Sequence, residues 1–265
     1  FDLHWPQYCL CLPKSTKNVF WGLDNGKSLI ADLAKKKLVN YMGNNVLFYS
    51  KNIQEKWKEE INVNSFVAQN SVEVGEPNFT KNRNTFINVG SLHVRKRNDI
   101  LLKAFANLPQ KIANNTKIVL AGSGIEEQNL KKLSKALNIE EKVIFLGYVD
   151  KLEILADLYD SSICSISVGQ AGLAVSQSLG FGVPFVTHKH AVTGGEIHGV
   201  VHGHNGYLLE VSLDDKSCIE ELKNVMEYFW NSRQKNELYI GCREYFDKNL
   251  SLDCMVQSLI KSLTD

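Results

Sequence analysis

Apolar residues along this chain fall into short continuous runs, separated by longer stretches in which they recur every three or four places. Short continuous runs fit strands buried on both faces, and the three-to-four spacing fits helices with one apolar stripe. In the first part the pattern predicts a strand at "NVFWGL" (18–23), a helix at "SLIADLAKKKLVNYM", a strand at "NVLFYS" (45–50) and a helix at "NIQEKWKEEI". The polar stretch "GEPNFTKNRN" (75–84) carries a proline, breaks the periodicity and reads as a linker. A second series follows, with strands at "TFINVG" (85–90), "KIVLAG", "KVIFLG", "SICSIS" and "PFVTH" and a helical stretch between each pair. In the first of those helices Ile100, Leu101, Ala104, Phe105 and Leu108 share one stripe. From Leu213 onward the chain reads as helices.

Strand-helix alternation of this length implies parallel strands joined by right-handed crossovers, with any ligand at the carboxyl ends of the strands. The expected architecture is therefore α/β, two Rossmann-like lobes with parallel sheets flanked by helices. Residues 1–75 form an incomplete first lobe, 76–240 the second lobe, and 241–265 a helix packing across both.

Composition narrows the partners. Of the 265 residues 30 are basic and 29 acidic, so the net charge of +1 gives no electrostatic case for a nucleic-acid binder. No window reaches 18 apolar residues, which leaves no predicted membrane span. The basic run "LAKKKL" sits on an amphipathic helix and reads as a solvated face, with membrane contact at most peripheral. The segment "FDLHWPQYCLCL" has neither a basic leader nor a small-residue cleavage site, and Phe1 in place of Met implies residues upstream. Six cysteines (Cys9, Cys11, Cys164, Cys218, Cys242, Cys254) are too few for a disulfide framework and read as reduced thiols of a cytoplasmic protein. His198 and His202 have the i, i+4 spacing of a zinc pair, but Gly194, Gly195, Gly199 and Gly203 argue against a helix there. No metal is expected. In the first lobe, Gly22 and Gly26 open a loop whose Asp24 is a candidate acceptor-side carboxylate.

The glycines carry the chemistry. Gly90, Gly122, Gly124, Gly147, Gly169 and Gly172 all fall at or just after a predicted strand's carboxyl end. In an open parallel sheet those ends line one crevice, where glycine lets main-chain N–H groups approach an anion such as a diphosphate. The ribbon "SISVGQAGLAVSQSLGFGVPFVTHKH" (165–190) has Lys189 as its one lysine, arginine or carboxylate. Arg95, Lys96 and Arg97 lie between a strand end and a helix start, so one of these cations can reach the crevice, with His93 on its rim.

Taken in order, "NVGSLHVRKRNDILLKAF", "IVLAGSGIEEQNLKKL", "KVIFLGYV" and "GLAVSQSLGFGVPFV...GGEI...HNGYLL" resemble the carboxyl-terminal lobe of family 4 retaining glycosyltransferases of the GT-B fold, over about residues 84–210. The resemblance implies an acceptor-side first lobe and a second lobe that binds a UDP-, GDP- or dTDP-sugar. It further implies transfer to a glycan or lipid-linked acceptor, with no cofactor. The family's diphosphate-binding lysine matches Lys96; its arginine after the first strand matches Ser91, for which Arg95 can substitute. Gly122, Gly147 and Tyr148 match the base-binding segments. The family's acid-x7-acid element matches Gly169 and Gln177, so both carboxylates are replaced. Gln177 retains hydrogen-bonding capacity for ribose, and contact with the sugar falls to Gly90 and to the backbone of Gln170, Ala171, Gly172 and Leu173. Glu196 matches the acidic residue of the following loop. Alternatives are a nucleotide-sugar epimerase of the same architecture and a non-catalytic module that binds a nucleotide sugar or glycan.

Overall fold

A computed structural model describes residues 16–23, 29–211 and 214–264. Two compact units emerge: Ser71–Ser251, and the described residues up to Asn70 together with those from Leu252.

In the smaller unit, β1 (Val19–Leu23), β2 (Asn45–Phe48) and β3 (Asn64–Val67) form a parallel sheet in that order. Helix α1 (Leu29–Met42) connects β1 to β2, and α2 (Lys51–Trp57) connects β2 to β3. The start of α2 is fixed by Ser50, whose side chain accepts from the amide of Ile53. Its end is anchored by Trp57, which is fully buried and meets Phe48 edge-on at 5.4 Å. The C-terminal helix, Leu252–Thr264, lies on β2 and β3 and receives a hydrogen bond from Asn45 Nδ2 at the carbonyl of Ser262.

The larger unit is built on β4 (Thr85–Val89), β5 (Lys117–Ala121), β6 (Val143–Gly147), β7 (Ser162–Ile166), β9 (Phe185–His188) and β11 (Gly206–Leu209), all parallel in the order β11-β9-β7-β4-β5-β6. The short strands β8 (Gln170–Ala171) and β10 (Val192–Thr193) pair with each other. Around the sheet lie α3 (Asn98–Ala106), α4 (Gln110–Ala113), α5 (Glu127–Ala136), α6 (Leu152–Asp160), α7 (Ala174–Gly180), α8 (Asp215–Ser232) and α9 (Asn236–Asn249).

Both faces of this sheet are covered, which is why its strands read as predominantly apolar runs rather than as alternating ones. Phe86, Ile118 and Leu120 join Phe105 of α3 and Met226 of α8 on one face, while Ile87 and Val119 meet Tyr159 and Phe181 on the other. Each large side chain so buried contributes about 1.5–3 kcal/mol. The α3 stripe inferred from spacing is buried throughout.

Connections from β4 pass to β5 and β6 on one side, and the chain then returns to β7 on the other. Their carboxyl ends therefore diverge, and open α/β sheets bind ligands at such a reversal.

The parallel, helix-flanked architecture agrees with the sequence reading, whereas several short elements do not appear in it. Strands β8 and β10 are two residues long, too short for periodicity to register, while four-residue β3 opens on Asn64 and Ser65 and β11 on Gly206, so neither reads as an apolar run. The larger unit runs from Ser71 to Ser251. Of the residues expected as one helix across the lobes, those up to Asn249 complete α9, which packs on α7, and those from Leu252 belong to the smaller unit. No described helix is long and apolar enough to cross a membrane.

Candidate functional site

At the β4/β7 divergence lies an open pocket of about 380 Å³, within the roughly 300–1,000 Å³ range of small-molecule sites. The sequence candidates Gly90, Ser91, Lys96, Gln170, Gly172, Leu173 and Gln177 all line it. Three further lining residues, Val72, Val89 and Ala174, were missed because aliphatic residues carry no chemical signal in sequence.

Lys96 is the central feature. It closes a 3₁₀ turn, Val94–Lys96, whose first residue follows His93; the His93 Nδ1 accepts from the amide of Arg95 and caps the turn. The Lys96 side chain lies against Gly90: its Cε and Nζ are 3.5 Å from the place a Cβ on Gly90 would occupy. Only 7% of the residue is exposed, and its ammonium donates to no group and joins no ion pair among the described residues. Burial pushes its pKa below the ordinary 10.5, the nearby charge of Arg95 adds to that, and Glu196 opposes it. A buried cation without a partner is costly.

The main-chain amides of Ser91, Gly172 and Leu173 donate to no backbone carbonyl among the described residues, and all three residues line the pocket. The amide of Gly90, by contrast, is taken by the Ala121 carbonyl at 2.9 Å. Gln177 projects from α7, and its Oε1 accepts from the Tyr159 hydroxyl at 3.2 Å. That bond orients the carboxamide and leaves its NH₂ group to donate into the pocket.

Gly169 sits behind the pocket wall. Its amide donates to the Lys96 carbonyl at 3.3 Å, and its own carbonyl accepts from Val192 at 2.9 Å. A Cβ there would stand 2.2 Å from the Arg95 carbonyl oxygen and 2.7 Å from Arg97 Cγ, so no side chain fits without moving the lysine turn. Ala171 is buried in β8.

The remaining candidates lie outside the pocket. Gly122 packs on Gly90, where an added Cβ would be 1.8 Å from the Gly90 carbonyl oxygen, and it bridges to Gly147. Tyr148, the residue after β6, is 77% exposed. Arg95 is exposed on the turn. Glu196 turns back on its own loop, accepting from the Gly194 amide at 2.9 Å and the Thr193 hydroxyl at 3.2 Å. His198 lies in a 3₁₀ turn and His202 stacks on Tyr207, and no group of three or more potential metal ligands forms among the described residues. Asp24 lies outside the described residues.

Arg97, which follows Lys96, occupies the left-handed region at φ 55°, a conformation that costs a non-glycine residue about 1–2 kcal/mol. Its guanidinium forks onto Asp99 at 3.1 and 3.3 Å and also reaches Asp215 at the start of α8.

An uncharacterized glycosyltransferase of Haemophilus influenzae is 32% identical over 195 residues, covering 69% of this chain and 50% of that protein. The N-acetyl-alpha-D-glucosaminyl L-malate synthase of Bacillus anthracis is 28% identical over 136 residues, 51% of this chain and 34% of the enzyme. The chain thus spans about half the length, or less, of these curated relatives. Among solved structures, Anabaena HepE in complex with UDP superposes with a TM-score of 0.72 at 18% identity, over 94% of this chain and 72% of that one, which places the fold among GT-B glycosyltransferases. The sequence model of glycosyl transferases group 1 matches residues 71–236, a span that contains β4 to β11, the lysine turn and the pocket, and to that family the chain belongs.

Proposed function

We propose that this chain binds a nucleotide diphosphate sugar in the pocket at the β4/β7 divergence and serves a retaining, metal-independent transfer of that sugar to a glycan or lipid-linked acceptor. The observation that carries the reading is the Lys96 ammonium: buried, unpartnered, and laid over Gly90 at the pocket floor. A diphosphate there meets one cation and the amides of Ser91, Gly172 and Leu173. As the glycosidic bond breaks, negative charge grows on the leaving phosphate, and fixed donors stabilise it more than they stabilise the intact donor. The leaving phosphate itself accepts the acceptor's proton, so no side chain acts as base. Gln177 takes the ribose through its NH₂ group. Gly169 and Gln177 stand where the family resemblance implies an acid-x7-acid element, and backbone donors take over the role of the first carboxylate.

A thermal-shift panel of UDP-, GDP- and dTDP-sugars on the wild type and on Lys96→Ala tests this. At least one nucleotide sugar stabilises the wild type, by about 2.7 kcal/mol at 100 times its dissociation constant. The variant loses most of that shift. No shift with any donor removes the site assignment, and equal shifts in the variant remove Lys96 from it.

The crowding at Gly169 favours a second reading, a module that holds the nucleotide sugar without transferring it. Release of nucleotide in the presence of acceptor separates the two.

A further inference from the structure

Among the described residues, Arg97 and Asn138 alone adopt positive φ without being glycine, and Arg97 does so at the junction between the lysine turn and α3. Helical backbone begins at the next residue, Asn98. If Arg97 relaxed to right-handed geometry, the turn would merge with α3 and Lys96 would rotate about the helix axis, off Gly90. Something must hold the kink, because left-handed backbone at a non-glycine residue persists only where its surroundings enforce it.

The contacts are specific. Arg97 donates to both carboxylate oxygens of Asp99 and to Asp215 Oδ1, and Lys103 Nζ bridges Asp99 Oδ2 and Asp215 Oδ2, each at 3.2 Å. Asp99 and Lys103 belong to α3, whereas Asp215 opens α8, 118 residues away from Arg97. Two cations and two carboxylates therefore close a ring across two helices. Isolated exposed pairs contribute little, but a forked, shared network fixes direction.

We propose that Arg97 and Asp215 are positioning residues, in which the four-charge ring locks the left-handed kink and thereby aims Lys96 into the pocket. The proposal rests on the reading of Lys96 as the diphosphate ligand. Asp215 acts from outside the pocket, through Arg97, and touches no substrate.

Calorimetric titration with UDP, GDP and dTDP, keeping whichever binds the wild type, tests it on the full chain. Asp215→Asn weakens binding about five- to tenfold, a loss of the size seen for coupled neighbours. Its ligand-free melting point stays within about 2 °C, as for other exposed charge changes. Asp215→Glu recovers most of the affinity. In a Lys96→Ala background Asp215→Asn has no further effect, because the residue it aims is gone. Arg97→Gly, which adopts the kink without strain, makes binding insensitive to Asp215→Asn. Wild-type affinity in Asp215→Asn overturns the proposal, as does an undiminished loss in the Lys96→Ala background or a loss matched by a lower melting point. Unchanged binding in Lys96→Ala alone overturns the donor-site reading, and the positioning role with it.

Discussion

The amide of Gly169 donates to the carbonyl of Lys96 across 3.3 Å, joining the glycine ribbon to the turn that carries the pocket's buried cation. The same approach leaves a Cβ on Gly169 only 2.2 Å from the Arg95 carbonyl oxygen. Glycine is required here by contact with a segment 74 positions earlier in the chain, and the ribbon's lack of charge at this point is a packing requirement before it is a chemical one.

Gly169→Ala should therefore destabilise by about 1–3 kcal/mol, as overpacking does elsewhere. Gly169→Glu should lose both stability and nucleotide binding, even though it restores a carboxylate to the ribbon. Thermal melts with and without UDP-sugar measure both effects; a glutamate variant that melts like the wild type would show that the turn yields.

Gly122 and Gly147 separate steric from conformational cost. An alanine at Gly122 would place its Cβ 1.8 Å from the Gly90 carbonyl oxygen, whereas at Gly147 the space is open and φ is 70°. Chemical denaturation should show Gly147→Ala costing about 1–2 kcal/mol from backbone alone. Gly122→Ala should cost more, and should also perturb nucleotide binding through Gly90.

Because burial holds the Lys96 pKa below 10.5, its ammonium discharges at lower pH than an ordinary lysine. Nucleotide affinity should fall on the alkaline side before pH 10.5 is reached, and Lys96→Arg should remove that fall. For the ligand-free protein the unfolded chain holds the proton more tightly, so this group makes stability rise with pH between its folded pKa and 10.5. Titrations at several pH values check the first, and denaturation of wild type against Lys96→Met the second.

Asp215 is displaced the other way, its pKa held below 3.8 first by the hydrogen bond from Arg97. Its contribution to stability is fully present above 3.8 and disappears as pH falls through the lowered value. The acid limb of the melting curve should be shallower in Asp215→Asn, while the two proteins stay close near neutrality.

The Tyr159 hydroxyl holds Gln177 from beneath, and its own ring is fully buried and stacked on Phe181 at 5.0 Å. Tyr159→Phe keeps the stack and loses the hydrogen bond, which should cost about 0.5–1.5 kcal/mol in stability. Gln177→Ala should instead weaken nucleotide binding with little effect on melting. Opposite results for this pair would place Gln177 in the scaffold rather than the site.

Much of the architecture was legible locally. Runs such as "TFINVG" and "KIVLAG" are mostly apolar because the sheet is covered on both faces, and that pattern needs no knowledge of the partner helices. The helix over 98–106 followed from its stripe in the same way. Position between a strand end and a helix start marked Arg95, Lys96 and Arg97 together, and only the family resemblance chose Lys96 among them; the pocket is lined by Lys96 with Gly90, Ser91, Gln170, Gly172, Leu173 and Gln177. Two-residue strands such as β8 and β10 escaped because a pair of residues has no period.

The sequence alone determined the order of most strands and helices and their buried faces, since these depend on neighbours within a few positions. It could not separate Gly169, glycine because a carbonyl crowds it, from Gly172, which has open space, nor show that Asp215 reaches Arg97 across 118 residues. Those distinctions arise where distant segments touch, and only the folded chain brings them together, because close packing and ion pairing act over a few ångströms whatever the separation along the backbone.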